Sequence, residues 1–359
     1  MQLTKKKTAD ISGLDIEAGS IAATEVAGNG SARIGASAIA PLDAGVFHEG
    51  EVGDPGQLSA ALKSLFAEHK LSKRVRLGVA NQQVVVRTVR LPAIEDPAQM
   101  EEAVRFLAQE QMPMPLDQAV LAHQVVGGVP AEEGASPQVD VVVVAARREM
   151  IGSFLEPIRK AGLQPVGIDL SAFAMIRALV DTEAANLGGE PGQPPSEAIL
   201  YCNVGDVTNL AVARGRSCVF TRVSHAGLEG ISERLAASRG LTAEHAFQWI
   251  SYVGLDRPLE EIEGDPETVA AARRALEDGV ATLLDEMRLS LDYYRAQENA
   301  LPVGRILLSG PGSTLAGLAQ RMEDGLGSAI AVARPGALAG LEETAAARLT
   351  LSYGLALES

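Results

Sequence analysis

The chain has 359 residues and carries 31 Lys plus Arg against 46 Asp plus Glu, a formal charge of −15. That surplus of carboxylate excludes a nucleic-acid-binding face, which needs clustered cations to neutralise phosphates. Hydrophobic residues at 47% and charged residues at 21% exclude disorder as the default, and the length calls for more than one core. The two cysteines, Cys202 and Cys218, make neither a disulfide framework nor a zinc spacing, and they suit a reducing compartment. Lys5, Lys6 and Lys7 are followed by Thr8, Ala9 and Asp10, not by the apolar stretch of a secretory signal. The densest apolar run, Val141 to Ala146, is far short of the ~18 residues of a membrane span. A soluble cytoplasmic protein is expected.

In chain order, strands are expected at Ile11–Ile16, Ile21–Val26 and Ala32–Ile39, with Gly28 and Gly30 around Asn29 supplying the second turn. Asp54-Pro55-Gly56-Gln57 reads as a helix start, and Leu58, Ala61, Leu62, Leu65 and Phe66 form one apolar face behind it. A strand over Val75–Ala80 completes half of a layered α/β domain. A second unit runs from Gln82 to Lys160: a strand Val84–Leu91, a helix capped at Asp96 with Met100, Ala103, Val104 and Leu107 inward, and strands Gln118–Val126 and Val139–Val144 around a loop at 127–138. A helix with Ile151, Phe154, Leu155 and Ile158 follows, bent by Pro157 and closed at Gly162.

The chain then returns with a strand Gln164–Ile168 and a helix Ala172–Val180. Residues 183–197, with three prolines and three glycines, form the best linker candidate. After it the opening pattern recurs as strands Ala198–Cys202, Thr208–Ala213 and Ser217–Val223 and a helix from Leu228, a coarse structural duplication. A long helix over about 265–298, a strand Ile306–Leu308, a helix after Ser313, a short strand near Ile330 and a final helix near 343–356 end the chain.

Three glycine turns interrupt apolar strands at equivalent places. The first is Asp15-Ile16-Glu17-Ala18-Gly19-Ser20. The second is Asn203-Val204-Gly205-Asp206-Val207-Thr208-Asn209, with Gly227 ahead of the next helix. The third is Ser309-Gly310-Pro311-Gly312-Ser313. Glycine at such corners lets backbone N–H groups approach phosphate oxygens, hydroxyls add contacts, and an acid such as Asp15 can hold Mg²⁺ through water. Any hairpin wants Gly, Asn or Asp, so one turn alone says little. Two in duplicated halves plus a third before a late helix is the layout of the actin-like nucleotide-binding fold.

The chain also resembles the PilM family, the actin-like proteins of type IV pilus assembly, over about 11–357. The resemblance is carried by Gly13-Leu14-Asp15-Ile16 with Glu25-Val26, Leu91-Pro92 with Met100-Glu101-Glu102-Ala103-Val104, and Gln111-Met112-Pro113-Met114-Pro115-Leu116-Asp117. It continues through Val142-Val143-Val144-Ala145-Ala146-Arg147, Ala161-Gly162-Leu163-Gln164-Pro165, Val204-Gly205, Leu307-Leu308-Ser309-Gly310 and Tyr353-Gly354-Leu355-Ala356. The resemblance implies a two-lobed α/β fold. Its first lobe would take residues 10–81 and 161–182, with a small α+β insert at 82–160. Its second lobe would take 198–359, with a reduced helical region at about 242–300. It also implies ATP with Mg²⁺ between the lobes and docking of the short cytoplasmic N-terminal segment of the membrane protein PilN. That would tether the chain peripherally to the inner face of the cell membrane, linked to a pilus motor or platform protein, with a homo-oligomer open. The implied role is that of a scaffold, not of an enzyme.

Four residues depart from the family pattern at the nucleotide site. Glu17 stands where a glycine is usual and would repel a polyphosphate; Ala22 stands where a lysine is usual, removing a charge-assisted contact of roughly 1.5–3 kcal/mol. Asn203 replaces an aspartate, which lowers Mg²⁺ affinity unless Asp206 compensates, and Pro311 has no N–H to donate. Weak or absent ATP binding is expected, unless a rearranged loop holds the nucleotide through Ser20, Thr208 and Ser313.

The histidines, His48, His69, His123, His225 and His245, form no motif with a nucleophile, and no cluster has metal spacing. Cys202 and Cys218 read as small buried hydrophobes on neighbouring strands. Met112 and Met114 between prolines suit either an apolar groove for a peptide or packing of the insert, with Val84, Val86, Leu91 and Phe106 on the same surface. Two rival readings are an actin-fold ATPase or phosphotransferase, and the cell-division actin homologue. The basic membrane-tethering helix of the latter is not matched by a last segment whose one basic residue is Arg348.

Overall fold

The computed structural model describes residues 10–27, 33–129, 136–186, 195–297 and 300–357. The turn expected at Gly28–Gly30, half of the 127–138 loop and most of the 183–197 linker lie outside these residues.

The first lobe opens with strands β1 (Ile11–Glu17), β2 (Ser20–Val26) and β3 (Ile34–Pro41), then a short hairpin of β4 (Phe47–His48) and β5 (Glu51–Val52). Helix α1 (Pro55–Glu68) starts where the sequence places it, because the Asp54 carboxylate accepts from the N–H groups of Gly56 and Gln57, both at 2.9 Å. Its Leu58, Leu62, Leu65 and Phe66 are buried on the sheet. After β6 (Arg74–Val79) comes the insert: β7 (Val84–Pro92), α2 (Pro97–Gln111), β8 (Ala119–Val129) and β9 (Gln138–Arg147). Its strands pair antiparallel in the order β7-β9-β8. One face buries Val89, Leu91, Val141, Val143 and Ala145 against Met100, Val104 and Ala108 of α2. The lobe resumes with α3 (Arg148–Lys160), β10 (Gln164–Leu170) and α4 (Ser171–Leu179).

The second lobe holds β11 (Ala198–Val204), β12 (Thr208–Arg214), β13 (Ser217–Ser224), α5 (Leu228–Arg239), α6 (Ala243–Val253) and α7 (Pro266–Arg295). It ends with β14 (Val303–Ser309), α8 (Leu318–Leu326), β15 (Ile330–Val332) and α9 (Glu343–Ala356). The duplication is plain in the sheets. From the hairpin edge inward they run β3-β2-β1-β6-β10 and β13-β12-β11-β14-β15, antiparallel through the first three strands and parallel thereafter. The outer layer of the first sheet is α1 and α3, and that of the second is α5 to α8.

Helices α4 and α9 occupy the space between the sheets, and a third core joins Ala22 and Val26, Met175 and Leu179, Tyr201 and Ala211, and Leu349 and Tyr353. Close approach here needs glycine: a Cβ on Gly13 of β1 would strike the Ser352 carbonyl of α9, and one on Gly354 would strike the Ala174 carbonyl of α4. Two motifs of the family resemblance are thus packing devices.

Several expectations change. Helix α3, expected within the insert, buries Phe154 and Ile158 in the first lobe's core with Phe66 and Leu71. Helix α9, placed by chain order in the second lobe, packs on β1, β2 and α4, because its apolar residues face both sheets at once. Cys202 and Cys218 are buried and free but not on neighbouring strands, since β12 lies between β11 and β13. The β4–β5 hairpin and the separate helix α6 were not anticipated, and a 3-10 turn over Pro311–Thr314 precedes α8. Among the described residues no helix is long and apolar enough to cross a membrane.

Candidate functional site

The duplicated hairpins bring the first two glycine turns face to face between the lobes. From β1, Asp15 and Glu17 point inward, the former 4% exposed. Asp15 bonds the guanidinium of Arg348, and Glu17 Oε2 lies 3.3 Å from Arg348 Nε. Ser20 Oγ accepts from Arg348 Nε at 2.7 Å and its carbonyl from Nη2 at 2.9 Å. Ala22 is paired with Asp15 across the hairpin, so the cation beside Asp15 comes not from this strand but from α9. Arg348 is buried; burial works against its charge, yet Glu17 and Asp15 hold its pKa above the ordinary value.

The second turn meets the first directly. Asp206 Oδ2 accepts from the Ala18 N–H, 188 residues away in sequence. A Cβ on Gly205 would clash with Glu17 Oε1, so a larger residue there would displace that carboxylate. Burial pushes Glu17 up to about 8, with Asp206, Asp15 and Glu229 adding to the rise and Arg348 opposing it. Burial likewise pushes Asp206 up to about 6. From α5, Glu229 joins the same wall. Its Oε1 lies 2.6 Å from His48 Nδ1 and its Oε2 accepts from the Glu49 N–H at 3.2 Å. The hydrogen bond to Glu229 raises the His48 pKa. Glu233 lies 3.8 Å from His48, and Glu49 lies 3.7 Å from His225, so histidines scattered in sequence meet at the cleft mouth.

The remaining turn residues are occupied internally. Thr208 Oγ1 donates to the Ala226 carbonyl at 2.6 Å, and Ser313 Oγ to the Gly310 carbonyl at 2.7 Å. Gly205 accepts from the Leu228 N–H at 2.8 Å, and Gly227 caps α5 against the Asp206 carbonyl. Gly19 accepts from the Leu42 N–H at 3.0 Å. Asn209 is buried beside the cleft, and Gly312 packs on Val204. Gly310, at φ 79°, lies over the Asn203 amide, whose Nδ2 reaches Ser309 Oγ at 3.3 Å. Asn203 Oδ1 is buried with no hydrogen-bond partner among the described residues. Between the walls from Asp15 to Glu229 the free space is about 20 Å³, room for a single water.

The residues expected to receive a peptide divide into two groups. Leu91 and Met112 are buried between the insert sheet and α2, and Met114 packs at that core's edge, so these three pack within the insert and not against the first lobe. Phe106 is 64% exposed on α2. Val84 and Val86 are on the sheet's other face, where they line a cavity of about 280 Å³ with Val79, Leu170, Ala172 and Val223 of the two lobes.

The sequence reading missed Arg348 as a site residue, together with Glu229 and His48. One signal was available for the first: Arg348 is the sole charged residue between Glu343 and Glu358. A lone charge in an apolar helix needs a buried counter-ion.

A two-lobed α/β protein with duplicated sheets, a small insert and facing glycine turns is an actin-like fold. Solved structures agree. The chain is similar to ethanolamine utilization protein EutJ from Carboxydothermus hydrogenoformans, at 14% identity and a TM-score of 0.52 over 97% of this chain and 89% of that one. It is also similar to MreB5 of Spiroplasma citri bound to ADP, at 10% identity and a TM-score of 0.50 over 97% and 95%. These likenesses establish the fold alone.

A chain solved in the PilM-PilN type IV pilus biogenesis complex is 28% identical, with a TM-score of 0.77 over 97% of this chain and 98% of that one. The family profile described as type IV pilus assembly protein PilM matches residues 13–359. The chain belongs to the PilM family.

Proposed function

We propose that this protein is a scaffold of a type IV pilus machine that docks a PilN-type membrane protein and is held by it at the inner face of the cell membrane. The observation that carries this reading is the family match over 13–359, joined to the likeness to a chain solved in complex with PilN. The cavity beneath the insert suits the docking step. Val84, Val86, Val223 and Leu170 offer apolar surface on a wall that also carries the polar Gln82 and Thr221. The divisions at 82–147 for the insert and 198–342 for the second lobe, with α9 bridging, belong to the same reading.

For nucleotide, we infer weak or absent binding of MgATP. A phosphate chain would have to enter a space of about 20 Å³. It would meet Asp15, Glu17, Asp206 and Glu229 against one guanidinium, and find the Ala18 N–H and three hydroxyls already engaged. Asn203 Oδ1 is the one orphaned acceptor nearby, and it carries no charge to hold Mg²⁺. The residues do not fit the group, and no step of the scaffold role needs its hydrolysis.

The test is a fluorescence titration of the full chain with the N-terminal peptide of a PilN-type protein, with and without MgATP. Saturable binding that ignores nucleotide is the expected result. Binding that requires MgATP would refute the cofactor inference. Absence of binding in both conditions, or steady phosphate release that Asp15→Ala abolishes, would favour an ATPase instead.

A further inference from the structure

Two turns of the first lobe aim backbone N–H groups across the cleft: Ala18, between β1 and β2, and Glu49, between β4 and β5. Each meets a carboxylate of the second lobe. Asp206 Oδ2 accepts from Ala18, while Glu229 Oε2 accepts from Glu49 at 3.2 Å and its Oε1 takes the His48 ring at 2.6 Å. Turn amides of this kind are general anion receptors, and a carboxylate satisfies them with the same acceptor chemistry as a phosphate oxygen. We propose that this chain latches its two lobes together with its own carboxylates, Asp206 and Glu229, so that the closed cleft is a resident state that needs no nucleotide.

The surroundings fit a built contact. The second-lobe turn is pinned from behind, with the Gly205 carbonyl accepting from Leu228 at 2.8 Å and Gly227 pressed on the Asp206 carbonyl. The first-lobe turn is pinned by Arg348, which ties Asp15 and Ser20 together from α9. Both turns therefore present their groups at fixed positions, and the two latches share helix α5, whose first turn carries Glu229 and whose cap is Gly227. Here the chain itself supplies an anion to each of these amides. The latch does not depend on partner docking and stands or falls separately from it.

Hydrogen exchange on the full chain tests the proposal at the amides concerned. Ala18 and Glu49 are expected to be protected without any nucleotide and unchanged by millimolar MgATP. Asp206→Ala is expected to speed exchange at Ala18 by about tenfold or more, the loss of one charge-assisted bond, with β11 and β14 unaffected. Asp206→Asn, which keeps an acceptor oxygen, is expected to fall between. Should Asp206→Ala lose protection throughout the second sheet, Glu229→Ala reads the same latch at Glu49 alone. Wild-type amides exchanging at free-turn rates, or becoming protected only on adding MgATP, would overturn the proposal.

Discussion

The inter-lobe cleft and the cavity beneath the insert are both lined by strand ends, yet their chemistry is opposed. The cleft collects Asp15, Glu17, Asp206 and Glu229 around Arg348 and is left with about 20 Å³. The cavity is walled by Val79, Val84, Val86 and Val223 together with Asn81, Gln82, Asn209, Thr221 and Arg222, and keeps about 280 Å³. Charged groups close a gap because each buried charge must find a counter-charge or donor, which draws the walls together. Apolar side chains impose no such directional demand, so a cavity between them stays open for an apolar occupant. On the proposed reading, the cleft is what holds the fold shut and the cavity is what receives a partner.

The contrast should break first at Arg348. Replacing it with Ala leaves Asp15 buried without its cation, and uncompensated buried charge of this sort costs about 3–5 kcal/mol. Arg348→Ala is therefore expected to lower the midpoint of thermal unfolding by several degrees or more, and adding Asp15→Asn and Glu17→Gln should recover part of that loss. An Arg348→Ala protein with unchanged Tm would show that the cluster is not held by this ion pair.

At the open cavity the effect should fall on binding instead. Val86→Asp puts a charge on the wall and is expected to weaken the PilN-type peptide at least tenfold, about 1.4 kcal/mol, in a fluorescence anisotropy titration. Phe106→Ala, on the far side of the insert, should change it less than twofold. The reverse ranking would move the docking surface to α2.

The last effect is the response of the cleft to pH. Glu17 and Asp206 hold protons more tightly in the folded chain, with values moved from 4.5 to about 8 and from 3.8 to about 6, so the folded state binds more protons than the unfolded one. Stability from these groups is greatest below their unfolded values and falls as pH rises through the window, by up to about 1.4 kcal/mol per unit and group. His48, raised by Glu229, acts in the same direction, since its contribution is lost as pH rises through its folded value. The other charges facing these groups are Asp15 on β1, Arg348 on α9, and Glu49 and Glu233 at the mouth. Chemical denaturation from pH 5 to 8 should show the decline, and Glu17→Gln should flatten it. Below about pH 4 the sign reverses as the exposed helix caps Asp54, Asp265 and Glu342, whose values are lowered, take up protons.

Much of the fold was readable before any coordinates. The caps at Asp54 and Asp96 do what Asp-Pro at a helix start should do, because capping is settled within four residues. The duplicated order of strand, hairpin and helix was visible at 10 and 198 for the same reason: alternation and turns are local patterns. Where the reading went astray, distance along the chain was the cause. Periodicity revealed that α3 has an apolar stripe but not that α1 would cover it, so Phe154 was assigned to the insert. Leu91 and Met112 looked like groove residues because apolar character does not say which face of a thin sheet will be covered.

The site divides along the same line. By itself the sequence determined that Gly19 and Gly205 sit in the turns of two duplicated hairpins, since turn residues and strand alternation are local patterns. Only the tertiary structure decided what those turns meet. Ala18 and Asp206 are 188 positions apart, and Asp15 and Arg348 are 333. Their meeting depends on α9 crossing back between two sheets, which the chain settles only when both cores form together.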